Sequence, residues 1–238
     1  LRFHTIPVWN RKNDVTPLPH DDNPLRAELS LEGKFVVMYS GNAGVAHRFE
    51  EVLATMKRLD GHPDIEFVFV GEGPKKDRIQ AFADRHALSN FRYLPYFPRE
   101  DLEHSLPMAD VHLMTLREEM AGIAVPGKLY GIMAAGRPAL MVGPEASEPG
   151  ETIQISGAGR VVDPSQTDTP VQALQDTLLS LYRDDALRTE LGRNGREAFL
   201  EHFEREVCCR KWASLFDRRL NGGSEVGASP QKEAVVGS

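Results

Sequence analysis

The sequence predicts an α/β domain built on a doubly wound, Rossmann-like parallel sheet of six strands. Strand and helix patterns alternate at least five times between Phe35 and Val162, which builds a parallel sheet with helices on both faces. The strand candidates, such as Phe35 to Tyr39 and Ile65 to Val70, are almost continuously apolar, as strands covered on both faces must be. Glycines gather just beyond those strands, at 41, 44, 71, 73 and 127. In doubly wound sheets that is the edge where ligands bind.

Taken in order, residues 1–34 read as a linker and edge segment. Phe3 to Trp9 suits an edge strand, Asn10 to Pro24 is a polar loop, and Asn23-Pro24 starts a short helix, Leu25 to Leu31. The core spans 35–165 and begins with the strand Phe35 to Tyr39. A helix follows from His47 to Leu59, with Phe49, Val52, Leu53 and Met56 on one face. Next come a strand, Ile65 to Val70, a helix, Lys75 to His86, a strand, Phe91 to Leu94, and a short helix, Pro98 to Leu106. Ala109 to Leu116 is the fourth strand. Pro126 and Gly127 then lead into a helix whose Leu129, Ile132, Met133 and Ala135 recur at helical spacing, with Gly136 to end it. Ala139 to Val142, a helix from Ser147 to Ser156, and Gly159 to Val162 complete the sheet. Residues 166–221 are helical and pack on the core; 222–238 are Gly, Ser and Glu rich and read as disordered.

Composition narrows the function classes. The 238 residues carry a net charge of -7, which argues against a general nucleic-acid surface. The two cysteines, Cys208 and Cys209, are adjacent and unsuited to bridging each other, which favours a reduced, cytoplasmic setting. No apolar run approaches the roughly 20 residues that cross a bilayer. The chain begins Leu1-Arg2-Phe3 and reads as a piece of something longer.

The chemistry-bearing stretches lie at the strand ends. Ser40-Gly41-Asn42-Ala43-Gly44-Val45-Ala46-His47 lets backbone approach a phosphate or sugar closely, although a plain tight turn has the same composition. Gly71-Glu72-Gly73-Pro74 by itself reads as a turn. At the helix start after Pro126, free amides and Lys128 form a positively polarised pocket, with Arg137 taken as its second cation. No metal-ligand spacing, phosphate-loop lysine or nucleophile elbow is present, so no metal or cofactor is expected.

These stretches, in this order, resemble the C-terminal, nucleotide-sugar-binding half of the GT-B glycosyltransferases of family four (group 1). The resemblance runs from Phe35 to about Phe216 through Tyr39-Ser40-Gly41-Asn42, Phe69-Val70-Gly71-Glu72-Gly73, Arg92-Tyr93-Leu94-Pro95-Tyr96, Ala109-Asp110-Val111 and Pro126-Gly127-Lys128-Leu129-Tyr130 with Met133-Ala134-Ala135-Gly136. Glu148 and Gly157-x-Gly159 close it. It implies that Gly41, Asn42, Gly44 and His47 line the donor's diphosphate, with Pro126, Gly127, Lys128 and Leu129 beside them. Gly71, Leu94, Pro95 and Tyr96 would border the base. The implied function is the donor domain of a retaining, metal-independent transferase of envelope or exopolysaccharide synthesis, using UDP-linked sugars as its substrate class and no cofactor. An N-terminal acceptor domain would be its partner and carry any peripheral membrane association, and this piece alone would not turn over.

The chain departs from the family where a glutamate that holds the ribose hydroxyls is usual: Gly131 stands there, with Ile123 in place of its partner. Glu119, or Glu118, is the nearest upstream substitute. A degenerate, non-catalytic nucleotide-binding or scaffold module and a GT-B-like sugar-nucleotide epimerase therefore stay open.

Overall fold

The computed structural model of the chain describes residues 15–123 and 127–221. The expected edge strand at Phe3 to Trp9, Pro126 and the tail at 222–238 lie outside the described residues.

Six parallel strands form one sheet in the order β3-β2-β1-β4-β5-β6. They are β1 (Phe35–Ser40), β2 (Ile65–Val70), β3 (Phe91–Leu94), β4 (Val111–Thr115), β5 (Ala139–Val142) and β6 (Gly159–Val162). The helices between them are α1 (Pro24–Glu28), α2 (Glu50–Arg58), α3 (Lys76–His86), α4 (Leu102–Ser105), α5 (Lys128–Ala134) and α6 (Glu148–Ser156). After the sheet come α7 (Pro170–Arg183), α8 (Asp185–Ala198) and α9 (Arg205–Asn221). The expected six-stranded doubly wound sheet is the observed one. Its strand order reverses between β1 and β4, which places a crevice at their carboxyl ends.

Strand alternation decides which face each side chain covers. Phe35, Val37 and Tyr39 pack with Val52 and Met56 of α2 and Leu174 and Leu178 of α7. Val36 and Met38 turn the other way, onto Leu25, Leu31 and Met108. Met114 and Met141 meet α5 together with Phe199 and Phe203. Register adds to this: Tyr39 sits abreast of Phe69, and the two rings stack at 5.4 Å.

Several boundaries move from the sequence reading. The second helix begins at Glu50 rather than His47, because the Glu50 carboxylate captures the Phe49 amide at 3.0 Å and the ring and carbonyl of His47 bind elsewhere. The Leu25 to Leu31 helix is displaced to Pro24–Glu28, and Ser30 turns out of it at φ 52. After α8 the chain widens into a π turn at Phe199–Phe203, which seats both phenylalanines in the core. No helix among the described residues is long and apolar enough to cross a membrane.

His112, in β4, is buried and donates Nε2–H to the Leu106 carbonyl at 2.9 Å. Burial pushes its pKa down to about 4, with Arg137 and Lys128 adding to the effect and the Leu106 bond opposing it. An unfolded histidine takes up its proton near pH 6.5, whereas the folded one refuses it until about 4. Stability is therefore expected to fall as pH drops across that window, by about 1–3 kcal/mol from this residue. Urea unfolding of His112→Gln at a series of pH values checks this: the slope between 6.5 and 4 should flatten.

Candidate functional site

At the carboxyl edge of the sheet the β1–β2 and β2–β3 ladders each run one bond past the strand into a glycine. Gly41 N–H donates to Val70 O at 2.9 Å, and Gly71 N–H to Leu94 O at 3.0 Å. The turns are then fastened to one another, since Ala43 N–H donates to Glu72 O at 2.7 Å and Lys75 N–H to Ala43 O at 3.0 Å. The approach is too close for side chains. A Cβ on Gly71 would stand 2.3 Å from Gly41 O, and one on Gly73 would stand 2.6 Å from Ala43 N. Both glycines also hold φ near +135°, where an L side chain is strained.

This junction draws together most of the residues singled out from sequence. The Asn42 side chain lies over Gly73 and Gly44, and the Tyr96 ring, half exposed, lies on Gly71. Pro95 is exposed beside it. The side chain of Leu94 points instead into the cluster of Met38, Val70 and Met108. Leu129 is fully buried, so only its backbone is available to the edge. Gly127 is exposed with open space around it. Glu119 is exposed on the loop after β4, its carboxylate 3.5 Å from Arg117 Nε.

Lys128 adjoins this junction at Gly41. Its ammonium sits 3.9 Å from the centroid of Tyr39, and a Cβ on Gly41 would lie 3.3 Å from Nζ. Nζ is sealed from solvent and has no hydrogen-bond partner. The stem of the residue remains partly exposed, but the charge-bearing atom is not, and its burial pushes the pKa down to about 7. An unpaired buried ammonium costs several kcal/mol unless it neutralises or finds an anion. Arg137 is not its companion: the chain puts it at the start of β5, on the opposite edge, where Nη2 donates to Leu18 O at 2.7 Å.

His47 stands beside this lysine. Its Nδ1–H donates to Thr115 O at 2.6 Å, which fixes the tautomer and leaves Nε2 as an acceptor. Burial, then the charge of Lys128, push its pKa to about 4, and Lys75 adds to both. Lys75 itself donates to His47 O. Sequence reading passed over Lys75 and over Thr115, whose buried hydroxyl has no partner. Neither carries a local signal, since each acquires its place only when β1, β4 and α3 meet.

Below Gly127 and Lys128 lies a cavity of about 180 Å³ lined by Ser40, His112 and Gly131 with leucines 102, 106 and 113. No acidic side chain lines it, and Gly131 itself is buried in α5. Glu148 is engaged nearby with α5, accepting from Tyr130 OH at 2.8 Å. Among the described residues no group of three metal-ligating side chains forms. The arrangement can place backbone turns and one buried cation against a negatively charged group lying across the β1–β4 crevice.

Comparison with known proteins gives this geometry a context. The family described as glycosyl transferases group 1 matches residues 21–198. A probable glycosyltransferase, WbjE, of Pseudomonas aeruginosa is 31% identical over 65% of the chain and 38% of its own length. The putative colanic acid biosynthesis glycosyl transferase WcaI of Escherichia coli (strain K12) is 30% identical over 67% of the chain and 39% of its own length. The chain thus spans about two fifths of these curated relatives. Among solved structures, the C-terminal domain of a group 1 family glycosyl transferase, LpcC, from Francisella tularensis superimposes with a TM-score of 0.63 at 16% identity, covering 82% of this chain and all of that one. HepE of Anabaena, solved with UDP and glucose, gives 0.68 at 16% identity over 86% of this chain and 54% of that one.

Proposed function

The chain belongs to the group 1 glycosyl transferases, and we propose on that premise that it forms the donor-binding domain of such an enzyme. The observation that carries the reading is the junction of Gly41, Gly71 and Gly73, with the Lys128 ammonium against Gly41 and without a hydrogen-bond partner. The diphosphate of a nucleotide sugar lies across the β1–β4 crevice, and its oxygens supply the partner that Lys128 lacks. Tyr96, beside Gly71, borders the base. His47, kept neutral and held by Thr115, offers Nε2 to a donor hydroxyl.

In the transfer step negative charge grows on the leaving diphosphate. A cation fixed in a dry site stabilises that charge without reorganising solvent, so this domain supplies leaving-group stabilisation and no nucleophile. The reaction we assign is retaining and metal-independent. The donor is UDP-linked, as the HepE structure holds UDP, and the acceptor belongs to envelope or exopolysaccharide synthesis, as the WcaI description names colanic acid. A partner domain brings the acceptor, so the 238-residue chain alone binds donor without turnover.

Calorimetric titration with UDP, GDP and ADP tests this. UDP is expected to bind with a one-to-one stoichiometry and the others more weakly. The cavity beside Gly131, which lacks a carboxylate, favours a second reading in which the domain is a non-catalytic scaffold. Absence of binding by all three nucleotides would establish that reading.

A further inference from the structure

A second, larger cavity lies at the other edge of the sheet. It measures about 780 Å³, opens to solvent, and is lined by the segment before α1, the turn from α5 into β5, and α8. That volume is typical of sites for small molecules. Its charges are unevenly matched. Asp110 is taken by Arg26 and the Val36 amide, Asp185 by Arg188 at 2.8 Å, and Glu197 lies 3.9 Å from Arg193, while Asp21 lines the exposed mouth. Arg137 and Arg196, on either side of Gly136, form no close ion pair among the described residues, although Asp110 and Asp185 act on Arg137 and Glu204 on Arg196 from further off. Arg137 donates Nη2 to Leu18 O, and its Nε is sealed without a partner. Arg196 gives Nη1 to the carbonyls of Val15 and Ala134.

We propose that this cavity is a second anion site, which takes a small phosphate-bearing molecule between Arg137 and Arg196. Guanidinium groups bind phosphate oxygens through paired N–H donors, and these two retain donors that carbonyl oxygens have not used. The electrostatics agree. Burial pushes Arg137 down to about 10, Arg26 and Arg188 adding to it and Asp110 opposing. His20, also lining the cavity, is lowered to about 4 by burial and then by Arg137. An anion here would supply the partner that Arg137 and Arg196 lack, in a lining whose four acids and four arginines otherwise balance. The site shares no lining residue with the crevice that holds Lys128.

The test uses inorganic phosphate and the whole chain. Phosphate should raise the melting temperature of the wild type and of Lys128→Met alike. Arg196→Gln should bind it about tenfold more weakly, as expected for losing one charge-assisted contact, with its phosphate-free melt reporting that it still folds. Phosphate should also shield Arg137 and Arg196 from phenylglyoxal in the wild type, read by peptide mass. An unchanged phosphate effect in Arg196→Gln, its loss in Lys128→Met, or unshielded arginines at saturating phosphate would each overturn the proposal.

Discussion

Replacing Lys128 by methionine is expected to weaken UDP binding by about 1–3 kcal/mol, the range for a hydrogen bond to a charged group, and to raise the melting temperature in the same experiment. The two effects have one origin. Methionine keeps the packing over Tyr39 and Gly41 but removes a sealed ammonium that faces the Tyr39 ring and has no hydrogen-bond acceptor until an anion arrives. A loss of both affinity and stability would instead mean that the lysine is a structural strut.

The same residue sets a pH dependence whose sign can be worked out. Free Lys128 releases its proton near pH 7, whereas an unfolded lysine keeps it to 10.5. Between those values the unfolded chain holds more protons, so stability rises with pH across the window. Binding runs the other way, because the diphosphate favours the charged amine. Above pH 7 each bound nucleotide draws in a proton, and affinity should fall by roughly tenfold per pH unit until the bound-state pKa is reached. Calorimetry in buffers of differing ionisation enthalpy measures that proton directly. In Lys128→Met the uptake should vanish.

The largest stability effect is expected at Asp110. Its Oδ2 accepts from Arg26 Nη1 at 3.2 Å and from Val36 N–H at 2.8 Å, and Arg26 is buried, donating also to the carbonyls of Met108 and Leu31. Asp110→Ala leaves a buried guanidinium with no countercharge other than carbonyl dipoles and strands the amide at the mouth of β1. Removing one partner of a buried pair costs about 3–5 kcal/mol, which denaturant titration would read as a lower midpoint. Replacing both Asp110 and Arg26 by apolar residues should cost less than Asp110→Ala alone.

Much of this fold could be read from local pattern. Ile65 to Val70, Phe91 to Leu94, Ala139 to Val142 and Gly159 to Val162 are strands at the expected residues, because buried parallel strands write themselves as apolar runs ended by turn residues. Termini shaped by partners far along the chain were not legible. The start of α2 depends on bonds from His47 to Thr115 and from Lys75 to His47, 68 and 28 residues away. Nor could the pattern say that Lys128 turns beneath the surface, since that needs the Tyr39 ring from another strand. Arg137 was misplaced for the opposite reason: nearness in sequence to Lys128 suggested nearness in space, but α5 lies between them and carries each to its own edge. The arginine cavity draws on residues from Pro17 to Glu197 and leaves no contiguous motif.

The interlocking of the first two turns constrains how such a domain can diversify. Because nothing larger than hydrogen fits at Gly71 or Gly73 without dislodging the neighbouring main chain, the inner wall of the crevice is closed to variation. If the crevice takes the donor proposed for it, selectivity would fall to the outer rim, in Tyr96 and the exposed stretch from Arg117 to Ile123, where substitutions cost the scaffold little.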